Sequence, residues 1–422
     1  MIFTHFFAII SLVTASVALP AAVPGIITVP LDRVDSTSDL KNAGSFAARA
    51  ANRYISRSVE TRSTLPSKLM PRQVASKEEG FASIFRRQKG DDGINTAKNV
   101  NITVLQGGAL RMRIDVGTPP RPYGVALDSS SADLWLASPD CKTCVGYEPY
   151  VASKSSTGKV SDKKFVVAYN EGSLRVDVTG VTDDLIFGGF PIKQQPFAQA
   201  DKIPKGFQDV PFDGVLGLAF SAHSEQKAPP LLQSLVDQKV IKSASFALHI
   251  PAGKKQATMT IGGIDPTKFS GEIDFVPVDN AAGQWGLNID QIVAQGKAVD
   301  VGTKKGILDT GTSVLLGPME DVRKVFAAIP GSAEMANGTF TVPCNQDNSF
   351  ALKLGGKDYG LNGVDFLDEI FSVAGPNNAN CVAALSGDQK IKSWVIGTPF
   401  LQKFYTVWDL SVPRFGLAKK VE

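Results

Sequence analysis

Two short stretches of the chain carry residue types able to do proton chemistry. Val125-Ala-Leu-Asp128-Ser-Ser-Ser131 and Gly306-Ile-Leu-Asp309-Thr-Gly-Thr312 share one pattern, an apolar run ending in Asp and followed by small hydroxyl residues. The two aspartates stand 181 positions apart (309 − 128). Each is followed by an apolar-apolar-Gly, Val215-Leu-Gly217 and Val395-Ile-Gly397, after 89 (217 − 128) and 88 (397 − 309) positions. One Asp before serines is an ordinary turn former; matched intervals of this length indicate two similar lobes, each presenting one Asp from a turn at the end of a strand. A two-fold axis between such lobes brings the carboxylates face to face. Like carboxylates at hydrogen-bond distance cannot both ionise, so the pair shares one proton and offers an acid and a base together at acidic pH. Water between them can attack a carbonyl as one carboxylate takes its proton and the other donates to the developing oxyanion, which hydrolyses an amide without a covalent intermediate. Ser129, Ser131, Thr310 and Thr312 are short enough to hold the carboxylates from the same turns. Rival chemistries are poorly supplied: there is no G-x-S-x-G and no phosphate-binding glycine-rich loop, and only His223 and His249 follow residue 87. No metal or organic cofactor is expected.

The elements that must position these residues read as strands. Ala109 to Val116, Tyr123 to Leu127, Phe165 to Ala168 and Thr258 to Ile261 alternate or cluster β-branched and aromatic residues between Gly, Pro, Asn and Asp. Helical spacing occurs only around Pro229 to Ile241 and Met319 to Ile329. The fold class predicted is therefore all-β, bilobal, with a few short helices. With 422 residues, 43% hydrophobic and 20% charged, the chain lies in the globular range, which excludes disordered, collagen-like and coiled-coil wholes. The net charge of +3 comes from residues 20–87, with 11 basic and 6 acidic side chains; beyond them 33 basic face 35 acidic ones, so no nucleic-acid partner is expected.

The first 17 residues, MIFTHFFAIISLVTASV, form an apolar run shorter than a bilayer span, and Ser16-Val17-Ala18 supplies small residues for cleavage. The expectation is a signal peptide over 1–18, a basic propeptide over 19–87 cut after Arg86-Arg87, and lobes over 88–277 and 278–422. No later stretch is long and apolar enough to span a membrane as a helix, and a soluble product is expected to be secreted to the extracellular space, vacuolar or wall-associated destinations remaining open. Four cysteines in such a chain allow two disulfides in three pairings, of which Cys141–Cys144 with Cys344–Cys381 is favoured. Asn101-Ile-Thr and Asn337-Gly-Thr are glycosylation sequons. At neutral pH the basic propeptide can pair with carboxylates around the cleft, and acidification would release it.

On these residues the chain resembles the pepsin-like aspartic peptidases, over nearly its whole length. Asp309-Thr-Gly-Thr-Ser313 matches the second active-site motif, and Asp128-Ser-Ser-Ser-Ala-Asp-Leu-Trp135 is similar to the first. Val116-Gly-Thr-Pro119, Phe212-Asp-Gly-Val-Leu-Gly-Leu-Ala219, Ile261-Gly-Gly-Ile-Asp265 and Trp394-Val-Ile-Gly397 support it in order. Such peptidases are the standard illustration of carboxylates sharing a proton. By position the resemblance implies Asp128 and Asp309 as the catalytic pair, Ser129 and Thr310 as cross-links between the loops, and Ser131, Gly311 and Thr312 as support for the carboxylates. It implies Tyr169, in Tyr169-Asn-Glu-Gly172-Ser173, as the flap tyrosine over the substrate with Trp135 as its partner. It also places Phe212 where the family lines an apolar subsite, which implies cleavage of protein or peptide substrates between hydrophobic residues. The resemblance further implies an aspartic endopeptidase zymogen, monomeric and inhibited by pepstatin-like compounds. The sequence departs from the family at Ser130, where a glycine is usual, at the flap's Asn170-Glu171, and at Thr398, a position often Asp. The alternative is an inactive protein of the same fold, in which Ser130 blocks turnover and the cleft binds a partner.

Overall fold

The computed structural model describes residues 97–105, 108–169, 174–207, 210–253, 256–335, 338–367 and 380–422. The signal and propeptide segments, the Arg86-Arg87 cleavage site, Asn170 to Ser173 and the Asn337 sequon lie outside the described residues. Within them the chain is mostly strand, as the sequence pattern predicts, and the pepsin-like all-β class holds.

The first half builds β1 (Lys98–Val104), β2 (Leu110–Val116), β3 (Arg121–Asp128), β4 (Leu134–Ala137), β5 (Lys159–Tyr169), β6 (Leu174–Phe187), β7 (Phe190–Lys202) and β8 (Gly214–Gly217). After them come β9 (Ser245–His249), β10 (Gln256–Ile261) and β11 (Phe269–Pro277). In β2 alternate residues are buried, as expected for a strand with one face on the core. Strand β3 is buried along most of its length because it is central, parallel to β8 on one side and antiparallel to β2 on the other.

The repeat read from residue spacing has a counterpart in sheet topology. In the first half the order runs β2, β3, β8, β4, β7. In the second, strands Gly286–Asn288, Lys305–Leu308, Trp394–Ile396, Leu315–Pro318 and Leu385–Asp388 lie side by side in that order. In both sets the Asp-bearing strand runs parallel to the strand that ends in apolar-apolar-Gly: Asp128 pairs with Gly217, and Leu308 with Ile396. The glycines are required by close approach. A Cβ on Gly217 would fall 2.4 Å from the Ala132 carbonyl carbon, and one on Gly397 would fall 2.2 Å from the Val314 carbonyl oxygen. Each strand end therefore presses against the turn that follows the Asp of its own half, and any side chain would push that Asp loop outward.

The expected division at 277/278 separates the two Asp motifs but cuts across a sheet. The last two strands, Tyr405–Asp409 and Arg414–Lys420, pair with β9 and β11, so a 13-stranded sheet draws on both sides of residue 277. Around that junction Phe246, Trp285 and Trp408 pack edge-to-face or stacked, with centroids 5.0–6.2 Å apart, all fully buried. The Trp285 indole N–H donates to the Leu218 carbonyl at 3.0 Å, giving a buried polar group its partner. The two helices are shorter than their periodicity suggested. Leu231–Asp237 follows Pro229-Pro230 and stops before Lys239, whose left-handed φ of 57° breaks the helix; the other covers Met319–Ala327. Both favoured disulfides, Cys141–Cys144 and Cys344–Cys381, are present.

Candidate active site

The two Asp turns meet at buried ground and hold each other reciprocally. The Ser129 N–H donates to Thr310 Oγ1 and the Thr310 N–H to Ser129 Oγ, both at 3.0 Å. Ser129 Oγ then donates to the Leu308 carbonyl at 3.1 Å and Thr310 Oγ1 to the Leu127 carbonyl at 3.0 Å. Each hydroxyl thus accepts from the opposite loop and donates to the strand leading into it. Four such bonds in a buried setting fix the loops rigidly, since losing one partner would leave the other unsatisfied.

Around each carboxylate the donors also correspond. Asp128 Oδ2 accepts from the Ser131 hydroxyl at 2.6 Å, and Asp309 Oδ2 accepts from the Thr312 hydroxyl. Asp128 Oδ1 accepts from the Ser130 N–H at 3.0 Å, and Asp309 Oδ1 from the Gly311 N–H at 2.7 Å. Asp128 and Asp309 are 3% and 0% exposed. Carboxylates so deeply placed require this many donors if either is to carry charge. Ser130 is accommodated without strain in its backbone: its φ is not positive, so the position does not demand glycine, and its hydroxyl also donates to Asp128 Oδ1, at 2.6 Å.

An open pocket lies beside Asp128 and the second Asp turn, with Asp128, Thr310 and Gly311 among its lining and Tyr169, Phe207 and Phe212 along its apolar wall. Tyr169, the last residue of β5, accepts the Trp135 indole N–H at 2.7 Å. Burial pushes the Tyr169 phenol well above its usual range, and the nearby Asp128 carboxylate raises it further, so the hydroxyl stays protonated. Gly172 and Ser173, expected to complete the flap, lie outside the described residues.

Two residues of this wall escaped the sequence reading. Phe207 packs against Tyr169 at 4.9 Å and edge-on to Trp135 at 5.7 Å, while Tyr147 stacks on Trp135 at 6.4 Å and donates its hydroxyl to the Phe207 carbonyl. Cys144 belongs to the same buried cluster, and Thr143 Oγ1, inside the small disulfide loop, accepts the Ile203 N–H at 2.9 Å. The available signal was Tyr147 following Cys144 so closely; nothing local marked Phe207. Asp133 was also passed over. It is buried behind the first turn and accepts from the Ser224 hydroxyl and the Glu225 and Gln226 N–H groups. Burial pushes its carboxyl up, and those bonds offset the effect only in part. Thr398 sits against the second turn, its N–H and hydroxyl both directed to the Thr312 carbonyl at 2.8 and 3.3 Å. Asn101 is exposed on β1. Among the described residues no helix is long and apolar enough to cross a membrane.

Comparison with known proteins agrees with this geometry. The eukaryotic aspartyl protease family model matches residues 111–420. Cathepsin D of Gallus gallus is 32% identical over 324 residues, which is 73% of this chain and 80% of the relative. "Probable aspartic-type endopeptidase CTSD" of Arthroderma otae is 32% identical over 301 residues, 70% of this chain and 78% of the relative. Chymosin of Camelus dromedarius is 30% identical over 324 residues, with 73% and 80% covered. With relatives named as endopeptidases and Ser130 fitting its loop, the inactive binding protein is not the favoured reading. A repeated Asp-bearing strand topology, a reciprocal bond between the two turns and a family match over residues 111–420 place the chain in the eukaryotic aspartyl protease family, as an aspartic-type endopeptidase.

Proposed function

We propose that Asp128 and Asp309 are the catalytic pair of an endopeptidase made as a secreted zymogen, acting at acidic pH on peptide bonds flanked by hydrophobic residues. The observation that carries the reading is the reciprocal Ser129–Thr310 bonding, which couples two buried Asp turns into one unit. One carboxylate takes a proton from water as its oxygen attacks the scissile carbonyl, while the other gives its proton to the carbonyl oxygen. Breakdown of the tetrahedral species transfers a proton to the leaving nitrogen and returns the pair to its singly protonated state. Ser131, Gly311 and Thr312 hold the carboxylates in place by the bonds described above. Tyr169, steadied by Trp135, would close over the substrate with Gly172 and Ser173 of the flap, and the Phe207 and Phe212 wall supports a preference for apolar side chains. The proprotein would be held inactive by its own basic segment until cleavage after Arg87, with Asn101 and Asn337 glycosylated and the product a monomer sensitive to pepstatin-like inhibitors. The test is cleavage of a denatured protein by the acid-processed form, with and without such an inhibitor, beside Asp309→Asn. Acid-dependent activity lost in both controls is expected; activity surviving Asp309→Asn would sink the reading.

A further inference from the structure

Tyr147 and Phe207 both line the pocket beside Asp128, and they belong to a closed ring of four aromatic side chains. Tyr147 stacks on Trp135 with centroids 6.4 Å apart and planes 20° from parallel. The Trp135 indole N–H donates to the Tyr169 hydroxyl at 2.7 Å, and Tyr169 packs on Phe207 at 4.9 Å. The Tyr147 hydroxyl donates to the Phe207 carbonyl, which closes the ring; all four residues are buried. The two ends of that last bond are held differently. Tyr147 follows the loop closed by the Cys141–Cys144 disulfide, its N–H donating to the Cys144 carbonyl at 3.3 Å, and Thr143 Oγ1 in that loop accepts the Ile203 N–H at 2.9 Å. Phe207 ends a 3₁₀ turn of three residues, Lys205–Phe207, its N–H donating to the Pro204 carbonyl at 3.0 Å. So short a turn fixes its own path weakly, and a buried carbonyl needs a donor. The Tyr147 phenol therefore ties the turn that carries Phe207 to a covalently closed loop.

We propose that Tyr147 is a positioning residue for substrate specificity, whose hydroxyl holds the Phe207 ring in the pocket wall so that a large apolar side chain of the peptide is preferred over a small one. This rests on the endopeptidase reading above. A wall already fixed gives a large side chain its contacts without being ordered on binding, whereas a wall free to shift must be ordered first. A small side chain that does not reach the wall is indifferent to the change. Contacts made by the wall are felt alike by bound substrate and transition state, so loosening it raises KM and leaves kcat in place.

The experiment measures kcat and KM for the processed wild type, Tyr147→Phe, Phe207→Ala and the double variant, with Asp309→Asn as reference and thermal melts to verify folding. The substrates are three peptides, with Phe on both sides of the scissile bond, Ala on its N-terminal side, or Ala on its C-terminal side. Tyr147→Phe keeps the stacked ring and removes only the donor; Phe207→Ala keeps the carbonyl and removes the ring. In Tyr147→Phe the preference for Phe over Ala should fall about fivefold on one side of the bond, carried by KM with kcat held. Phe207→Ala should lose that same preference, and Tyr147→Phe should add less than about twofold in its background. Equal losses on all three peptides, an effect on kcat alone, or an undiminished effect of Tyr147→Phe in the Phe207→Ala background would each overturn the proposal while an inactive Asp309→Asn left the catalytic pair standing. If Tyr147→Phe melts too low to assay, an unchanged preference in Phe207→Ala overturns it alone. An active Asp309→Asn would remove the endopeptidase mechanism, and this proposal with it.

Discussion

The turn at Asp128 and the turn at Asp309 are built to one plan and finished differently. Where they agree, at Ser129 and Thr310, at the Oδ2 hydroxyl donors and at the Oδ1 amide donors, the groups hold the pair in place. Where they differ, the side chains change the donors and the packing around each turn. Ser130 stands opposite Gly311, buried Asp133 opposite Val314, and Trp135 opposite Leu316, each 181 positions apart (309 − 128). The first turn lies beside an aromatic cluster that includes Trp135 and Tyr169, while the second is buttressed by Thr398. The comparison teaches that the shared features make a scaffold and the unshared ones tune it.

That division can be broken most sharply at the carboxylates. Asp128→Asn and Asp309→Asn should each lower kcat/KM by about a thousandfold or more, to a similar level, because members of a unit do not act additively; a variant retaining substantial activity would end their equivalence. Ser129→Ala and Thr310→Ala should each destabilise by about 1–3 kcal/mol in urea unfolding, since each leaves buried partners unsatisfied. Their double variant should cost less than the sum, and strict additivity would show that the loops are not coupled. Tyr169→Phe touches only the first half-site: loss of its bond with Trp135 should lower kcat/KM by roughly fivefold, with little change in melting temperature.

The smallest effect concerns Asp133 and reads out as a slope. Its carboxyl is pushed above its ordinary value of 3.8 by burial, so the folded protein holds that proton more tightly than the unfolded chain does. The associated stability is fully present below pH 3.8 and is lost as pH rises through the folded value. Asp133→Asn cannot ionise, and its melting temperature should fall less between pH 3 and pH 7 than that of the wild type. Parallel melting curves for the two proteins would dismiss Asp133 as a source of acid stability.

What could be read directly from the chain was whatever depends on local type and on spacing. The matched Asp and Gly intervals foretold two similar strand sets because a strand-turn-strand unit needs the same residues wherever it occurs. Gly217 and Gly397 belong to that signal, since each lies where a neighbouring backbone leaves no room for a Cβ. The strands from Ala109 to Val116 and Tyr123 to Leu127 were legible from alternation for the same reason. Phe207 and Tyr147 were not, because their role comes from one carbonyl and four rings brought together from positions 60 apart. The return of Arg414–Lys420 to β11 was equally hidden, as strand pairing across more than 130 residues leaves no local mark. Ser130 shows the limit most clearly: by type it was only a departure from a glycine, and it became a donor to Asp128 through the turn's path. Sequence by itself determined that two aspartates occupy equivalent strand-end turns, because periodicity and turn chemistry are local. Tertiary structure alone decided how many donors each carboxylate receives, because hydrogen-bond direction is set by the packing of loops that meet across the fold.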